Sequence, residues 1–303
     1  MKTKKFSTLQ VQTILYNAEL DRLKQLFIHL ERAANIAIAE DLFLAVNFTI
    51  GDCSPTLTLS DEDLSELKML APSLTPVNYT YFNNNIGSAG GHNVLLENIE
   101  TDFVLIMNPD IMLAPDCLLQ LMKPFIKDET TGMVEARQLP IEHPKDYDIV
   151  TGETGWATTA CALIDARLTI ALNGFDSASF FLYCDDVDFS WRVRLVGRKV
   201  LFQPSAVAFH DKRLSQNGGW APTMAEQYYS AEAALILAHK YSRPDIVAEL
   251  LAIFTDSDVE FLQRAAEEYN RRSIAKRLPV AIDAKHQVGS FQDGFYTKHR
   301  YHL

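Results

Sequence analysis

Positive charge is in short supply in this sequence. Its 303 residues carry 28 Lys and Arg against 39 Asp and Glu, a formal net charge of -11. A general nucleic-acid binder needs a basic face, so that class is set aside. An anionic nucleotide is still an acceptable ligand where a metal ion or a local basic group offsets the charge. Cysteine is also scarce, with only Cys53, Cys117, Cys161 and Cys184. No CxxC occurs and no Cys/His cluster has zinc spacing, so free buried thiols in a reducing compartment are expected. Long apolar runs are missing. No stretch approaches the roughly 18 residues of a membrane span, and no apolar core follows the basic start Met1-Lys2-Thr3-Lys4-Lys5. The expected location is cytoplasmic, with attachment at the inner face of the cell membrane left open. Neither GxxxxGK nor GxGxxG is present. The turn after the first apolar run, Tyr16-Asn17-Ala18-Glu19, has no glycine, which argues against a Rossmann dehydrogenase.

What is present is ample apolar material, 48% of the residues, enough for a full core. The first 110 or so residues alternate strand and helix. Val11 to Tyr16 reads as a strand, and Asn17 as the cap of a helix bearing Leu20, Leu23, Leu26, Phe27 and Leu30. Leu42 to Ile50 and Val77 to Phe82 read as strands, with a helix over Asp61 to Leu70 between them. Gly87 to Gly91 reads as a glycine-rich turn, with a helix continuing over Asn93 to Asn98. Phe103 to Met107 is wholly apolar, as central parallel strands are. This is the pattern of an open α/β sheet with its ligand site at the strand C-terminal ends. Residues 133 to 210 mix short strands (133–135, 160–164, 200–202, 207–209) with one helix near Val187 to Val196, completing a mixed sheet. Lys212 to Pro222 reads as a mobile loop carrying Lys212, Arg213 and Trp220, a lid or a plain connector. Beyond Thr223 the chain reads as three amphipathic helices, and from about Lys285 as a poorly ordered tail. The expected division is 1–222, an α/β domain, and 223–303, a helical C-terminal extension.

Several constellations can carry chemistry. Asn108-Pro109-Asp110 follows the apolar strand directly, and a carboxylate there suits Mg²⁺ or Mn²⁺ with phosphate oxygens. Its bland alternative is a turn. Asp185-Asp186-Val187-Asp188 opens the helix carrying Trp191, Arg192 and Arg194. Crowded carboxylates raise one another's pKa, which suits a general base, although acids at a helix start are also ordinary caps. His210 ends a strand and is a candidate metal ligand. Asp52, in Gly51-Asp52-Cys53-Ser54, suits a ribose or base contact, or caps its turn. In Asn83 to Asn93, which includes Asn85, Gly87 and Asn93, small residues allow close approach of a ligand to the backbone.

In this order and spacing, these features resemble the family 2 glycosyltransferases of the GT-A fold, nearest the rhamnosyltransferase-like enzymes of bacterial surface polysaccharides. The resemblance runs from about Val11 to His210. It rests on Tyr16-Asn17, Gly51 to Ser54, Asn85-Ile86-Gly87 through Asn93, Asn108-Pro109-Asp110, Asn173-Gly174-Phe175-Asp176, Phe181-Leu182-Tyr183 into Asp185 to Asp188, Trp191-Arg192, and Pro204 and Ala206 before His210.

The resemblance implies a mixed, mostly parallel central sheet flanked by helices and a helical C-terminal appendage. It implies an inverting transfer from a nucleoside-diphosphate sugar, dTDP-rhamnose or a UDP-sugar, to a glycan or lipid-linked acceptor in polysaccharide, O-antigen or capsule synthesis. Asp186 matches the base, with Asp185 where a Glu is more usual. Asp110 matches the last carboxylate of the DxD metal motif and His210 the later metal histidine. Asn17, Asp52, Asn85, Gly87, Asn93, Asn108 and Trp156 fall on the donor side, with Gly155 to Thr158 lining the sugar pocket. Asn108 replaces the first DxD acid, and nothing after about Thr223 matches. Two rivals follow: a nucleotidyltransferase, which lacks its usual glycine-rich basic loop here, and a degenerate domain that binds carbohydrate or scaffolds assembly. For the cluster Arg271-Arg272 and Lys276-Arg277, a solvated helix end competes with contact to an anionic membrane. Self-association through apolar faces of the C-terminal helices is a third option.

Overall fold

The computed structural model describes residues 7–143, 145–212 and 221–297. The chain runs β1 (Ser7–Leu15), α1 (Leu20–Ala39), β2 (Phe43–Asp52), α2 (Asp61–Leu70), β3 (Leu74–Tyr81), α3 (Gly87–Leu96), β4 (Phe103–Met107), β5 (Ile111–Leu113) and α4 (Cys117–Lys127). It continues through β6 (Thr131–Leu139), β7 (Cys161–Asp165), α5 (Ala166–Ala171), α6 (Asp185–Leu195), β8 (Lys199–His210), α7 (Met224–Lys240), α8 (Pro244–Thr255) and α9 (Glu260–Ile274). The described strands form one eight-stranded sheet, ordered β3-β2-β1-β4-β7-β6-β8-β5. β3, β2, β1 and β4 are parallel neighbours, β7 is antiparallel to β4 and β6, β8 is parallel to β6, and β5 closes the edge antiparallel to β8. This is the mixed, mostly parallel sheet that the sequence implies.

Period-two alternation buries both faces. On β4, Leu105 and Met107 join the core under α1, α2 and α4, while Val104 and Ile106 join the core under α3 and α6. Helix α1 turns Leu23, Leu26, Phe27, Leu30, Ala33, Ala34 and Ala37 inward, the spacing of one helical face. A third core joins α7, α8 and α9 to Trp156, Phe180, Cys184, Val187 and Trp191. The C-terminal helices therefore share a core with α6 and with the segment before β7.

Some expectations change. Asn17 does not cap α1. It sits at φ +52, and Glu19 is the N-cap, without a side-chain bond. The 87–91 glycines are the first turns of α3 rather than a turn before it. Packing explains this, because a Cβ at Gly91 would lie 2.9 Å from the Ile14 side chain on β1. Residues 200–202 and 207–209 belong to a single strand, β8, with a register shift opposite Ala136–Arg137 that takes up Pro204. Between Lys285 and residue 297 the chain is tied down rather than loose: Val288 and Tyr296 are buried, and Phe291 packs on Trp191 at 5.3 Å. The expected lid falls mainly on residues 213–220, outside the described residues. All four cysteines are buried as thiols. Among the described residues no helix is long and apolar enough to cross a membrane.

Candidate functional site

Register gathers the predicted residues along one edge. Leu15 is level with Asp52, and Asp52 with Tyr81, so the loops holding Asn17, Asp52 and Asn85 follow the same ends of three parallel strands. Asn108 follows β4 there, its N–H donating to the Ala160 carbonyl (2.9 Å). Because β5 runs antiparallel to β8, with Ile111 opposite His210, Asp110 is brought beside the histidine. Asp110 Oδ1 and His210 Nε2 lie 3.2 Å apart. The other ring nitrogen, Nδ1, is 2.7 Å from Gln138 Oε1. Gln138 Oε1 can accept from an Nδ1–H, and Nε2 faces the Asp110 carboxylate. Two donor atoms about 3 Å apart can share one ion with bonds of about 2.1 Å. Among the described residues this pair is not extended to three by another His, Cys, Asp or Glu.

Asp185 and Asp186 open α6 after two successive residues in left-handed conformation, Tyr183 (φ +69) and Cys184 (φ +58). Non-glycine residues held there cost about 1–3 kcal/mol each and cluster at functional sites. The two carboxylates differ in surroundings. Asp185 is buried, and burial first, then the charge of Asp186, pushes it up to about 8. Asp186 is half-buried, and its Oδ1 accepts the Val187 N–H (2.8 Å). The third acid, Asp188, belongs to the core. It is met by Arg192 Nε (2.8 Å), Lys240 Nζ (2.7 Å) and the Tyr241 hydroxyl (3.1 Å).

Several donor-side residues prove to hold the scaffold. Asp52 is fully buried and accepts from Ser54 N (2.9 Å), Thr58 N (3.0 Å) and Tyr79 Oη (2.5 Å). Burial would raise its pKa, but these bonds outweigh it and hold the carboxyl below its ordinary value. Asp52 thus fastens its own turn instead of presenting a bare carboxylate at the surface. Asn17 is exposed, and its N–H donates to Ser54 Oγ (2.8 Å). Asn85 accepts the Gly87 N–H (3.1 Å). Asn93 grips Phe175 with both ends of its amide, accepting its N–H (2.8 Å) and donating to its carbonyl (2.7 Å). Gly87, at φ +75, lies under Phe181, where a Cβ would come 2.4 Å from the Phe181 carbonyl oxygen. His92 is buried and kept neutral, its pKa lowered to about 3 by burial. Trp156 is only 6% exposed, boxed by Tyr296 (centroids 4.9 Å) and Lys145 (Nζ 4.0 Å over the ring). As packed it is a core residue behind the site and does not line an open sugar pocket.

Sequence reasoning misses what lies behind these residues. Lys145 pairs with Glu135, a fully buried acid on β6. Burial pushes Glu135 up to about 7, against the pull of Lys145. Ser190 on α6 accepts the Ala157 N–H (3.0 Å) and donates to the Asp186 carbonyl (2.8 Å), joining the Trp156 segment to the acidic pair. The available signal is the polar Glu135 and Gln138 set among Met133, Val134, Ala136 and Leu139.

No family model matches the sequence. The rhamnosyltransferase WbbL of Escherichia coli K12 is 24% identical over 140 residues, which cover 37% of this chain and 53% of that protein. The match thus spans about half the length of that relative. Among solved structures, the mannosyltransferase PcManGT of Pyrobaculum calidifontis, in complex with GDP-Man and Mn²⁺, matches with TM-score 0.54 and 16% identity over 90% of this chain and 82% of its own. GalNAc-T7 with UDP, GalNAc and Mn²⁺ matches with TM-score 0.61 and 13% identity over 91% and 59%. S. aureus TarS 1-349 matches with TM-score 0.53 and 12% identity over 88% and 72%. The chain thus has the GT-A glycosyltransferase fold, and in sequence it resembles the family 2 glycosyltransferases.

Proposed function

We propose that this protein is an inverting glycosyltransferase that moves a sugar from a nucleoside-diphosphate donor to a glycan or lipid-linked acceptor. The supporting observation is the meeting of Asp110 and His210, distant in sequence, at the edge where the parallel strands end. Those two residues would hold Mg²⁺ or Mn²⁺. A bound ion there would offset the charge that develops on the leaving diphosphate. Asn108 beside them is neutral and offers an amide in place of a carboxylate. The donor would be dTDP-rhamnose or a UDP-sugar, in keeping with the WbbL similarity.

The remaining steps belong to the acidic turn. Two carboxylates this close do not both ionise cheaply, and burial makes Asp185 the one that keeps its proton near neutrality. Asp186 then carries the charge at the start of α6, where the helix dipole favours it. It takes the acceptor hydroxyl's proton as that oxygen attacks the anomeric carbon. The old bond from carbon to phosphate oxygen breaks from the opposite side, and its electron pair leaves with the diphosphate. Attack and departure in line invert the anomeric centre. Lys145 and Glu135 fix Trp156, and Ser190 ties that segment to Asp186, so the loop before β7 is packed against α6.

Product analysis with a panel of nucleotide sugars tests this. Transferred or hydrolysed sugar with free nucleoside diphosphate is expected, and activity should vanish on complete chelation. A new nucleotide sugar with pyrophosphate would mean a nucleotidyltransferase. Activity that survives complete chelation would remove Asp110 and His210 from their metal role. A second reading, a degenerate domain that binds carbohydrate or scaffolds assembly, is favoured by Asn108 in place of an acid. It predicts ligand binding with no turnover on any donor.

A further inference from the structure

A row of aromatic rings leads away from the acidic turn on the side of the C-terminal helices. The Phe181 ring packs over Gly87 on the donor side. Its centroid is 4.8 Å from that of Tyr229, with the planes 30° apart. Tyr228 stands edge-on to Tyr229 at 5.1 Å. The Arg264 guanidinium lies 4.8 Å over the Tyr228 ring. All three rings are half-buried, and Arg264 is exposed.

The row is braced from behind. Arg272 on α9 donates to the Ser179 carbonyl (3.2 Å), two residues before Phe181, and pairs with Glu232 on α7 (2.9 Å). The Tyr228 hydroxyl lies 3.4 Å from Glu232. Burial raises the pKa of both tyrosines, Tyr228 to about 12, so the phenols stay neutral. The closely aligned Phe181 and Tyr229 rings offer half-open apolar faces, Tyr228 stands across their end, and Arg264 places guanidinium donors at the margin. That combination matches a pyranose, which has an apolar C–H face and hydroxyls around its rim. A plain acyl chain would gain nothing from the polar margin.

We propose that Phe181, Tyr228 and Tyr229, with Arg264 at the rim, form a carbohydrate-binding subsite for the acceptor sugar beside the acidic turn. The inference rests on the glycosyltransferase reading and on Asp186 as base. It gives the C-terminal helices a part in acceptor recognition that the resemblance does not assign.

A glycan array of bacterial surface oligosaccharides, probed with the full chain, is the test. The wild-type protein is expected to retain at least one group of related glycans. Tyr229→Leu keeps the apolar packing on Phe181 but removes the flat ring, and should weaken retention tenfold or more. Arg264→Ala, on the exposed rim, should weaken it about threefold and serves if Tyr229→Leu folds poorly. In parallel, thermal stabilisation by UDP, GDP and dTDP with Mn²⁺ is measured on each protein. The variants should match wild type there. Equal retention by variant and wild type, or no retained glycan at all, overturns the subsite. Absence of stabilisation by every nucleotide in the wild-type protein would instead sink the donor reading, whatever the array shows.

Discussion

At the scale of the residue, Asp185 and Asp186 are chain neighbours with different surroundings, and their proposed duties divide accordingly. Removing a positioned general base costs about 10²- to 10⁴-fold in rate. Asp186→Asn should therefore lose turnover by that order while nucleoside diphosphate still raises the melting temperature. Near wild-type turnover would reject the assignment. Asp185 gives a pH signature. Its pKa is raised from 3.8 to about 8 on folding, so the native state binds the extra proton between those values. Its contribution to stability is complete below about pH 4 and is lost as pH rises toward 8. Asp185→Asn should flatten the fall of melting temperature across that window, and an unchanged slope would place the effect elsewhere. Glu135, raised from 4.5 to about 7, acts in the same direction over a narrower range.

At the scale of the element, α6 and the loop before it are held by one lysine of α7. Lys240 on α7 is buried and reaches both Asp176 (2.6 Å) and Asp188 (2.7 Å). Breaking a buried pair by removing one partner costs about 3–5 kcal/mol, because a charge is left without compensation. Lys240→Met should lower unfolding free energy by about 3 kcal/mol, measured by urea denaturation. Little loss would mean that Arg192 and Tyr241 suffice for Asp188. The loop before α6 is fixed against α3 by Asn93. Gly174 there has φ +64, and a Cβ on it would come 2.3 Å from Asn93 Oδ1. Gly174→Ala should cost about 2 kcal/mol or more, since left-handed backbone alone costs about 1–2 kcal/mol. A smaller loss would show that Asn93 can move aside. On α9, Arg271 and Arg272 pair with Glu268, and Arg272 also with Glu232. Half of the basic cluster is thus already engaged within the protein, which weakens its case as a membrane contact.

At the scale of the whole molecule, the boundary near residue 222 separates sequence patterns but not cores. Trp156, Phe180 and Trp191 are covered by α7, α8 and the segment ending at Tyr296. A chain ending at residue 222 would expose that aromatic surface, and large apolar patches aggregate. It should be recovered as insoluble or molten protein, lacking a cooperative melt by circular dichroism. A soluble, cooperatively folding 1–222 would instead make the helices a separable module.

Local pattern alone was enough for the strand–helix alternation up to Met107, the α2 limits Asp61–Leu70 and the β4 limits Phe103–Met107, because periodicity and turn chemistry are properties of neighbouring residues; the GT-A resemblance came instead from the order of motifs between Val11 and His210. Short elements such as β5 and α5 escaped it. A three-residue strand carries almost no periodic signal and exists only because β8 lies beside it. The acids and the histidine were visible as residue types, but sequence does not weigh their surroundings. Only the tertiary structure set His210 against Asp110, buried Asp185 and left Asp186 half-open. It also gave Asp188 to Lys240 and turned Asp52, Asn93 and Trp156 into parts of the frame. Such partners lie tens to a hundred residues away, and the burial that shifts a carboxylate's pKa is created by packing. The net charge of -11 and the scarcity of basic residues were fixed by composition. How the few cations are used, with Lys240, Arg192 and Lys145 committed to buried acids, was decided by the fold.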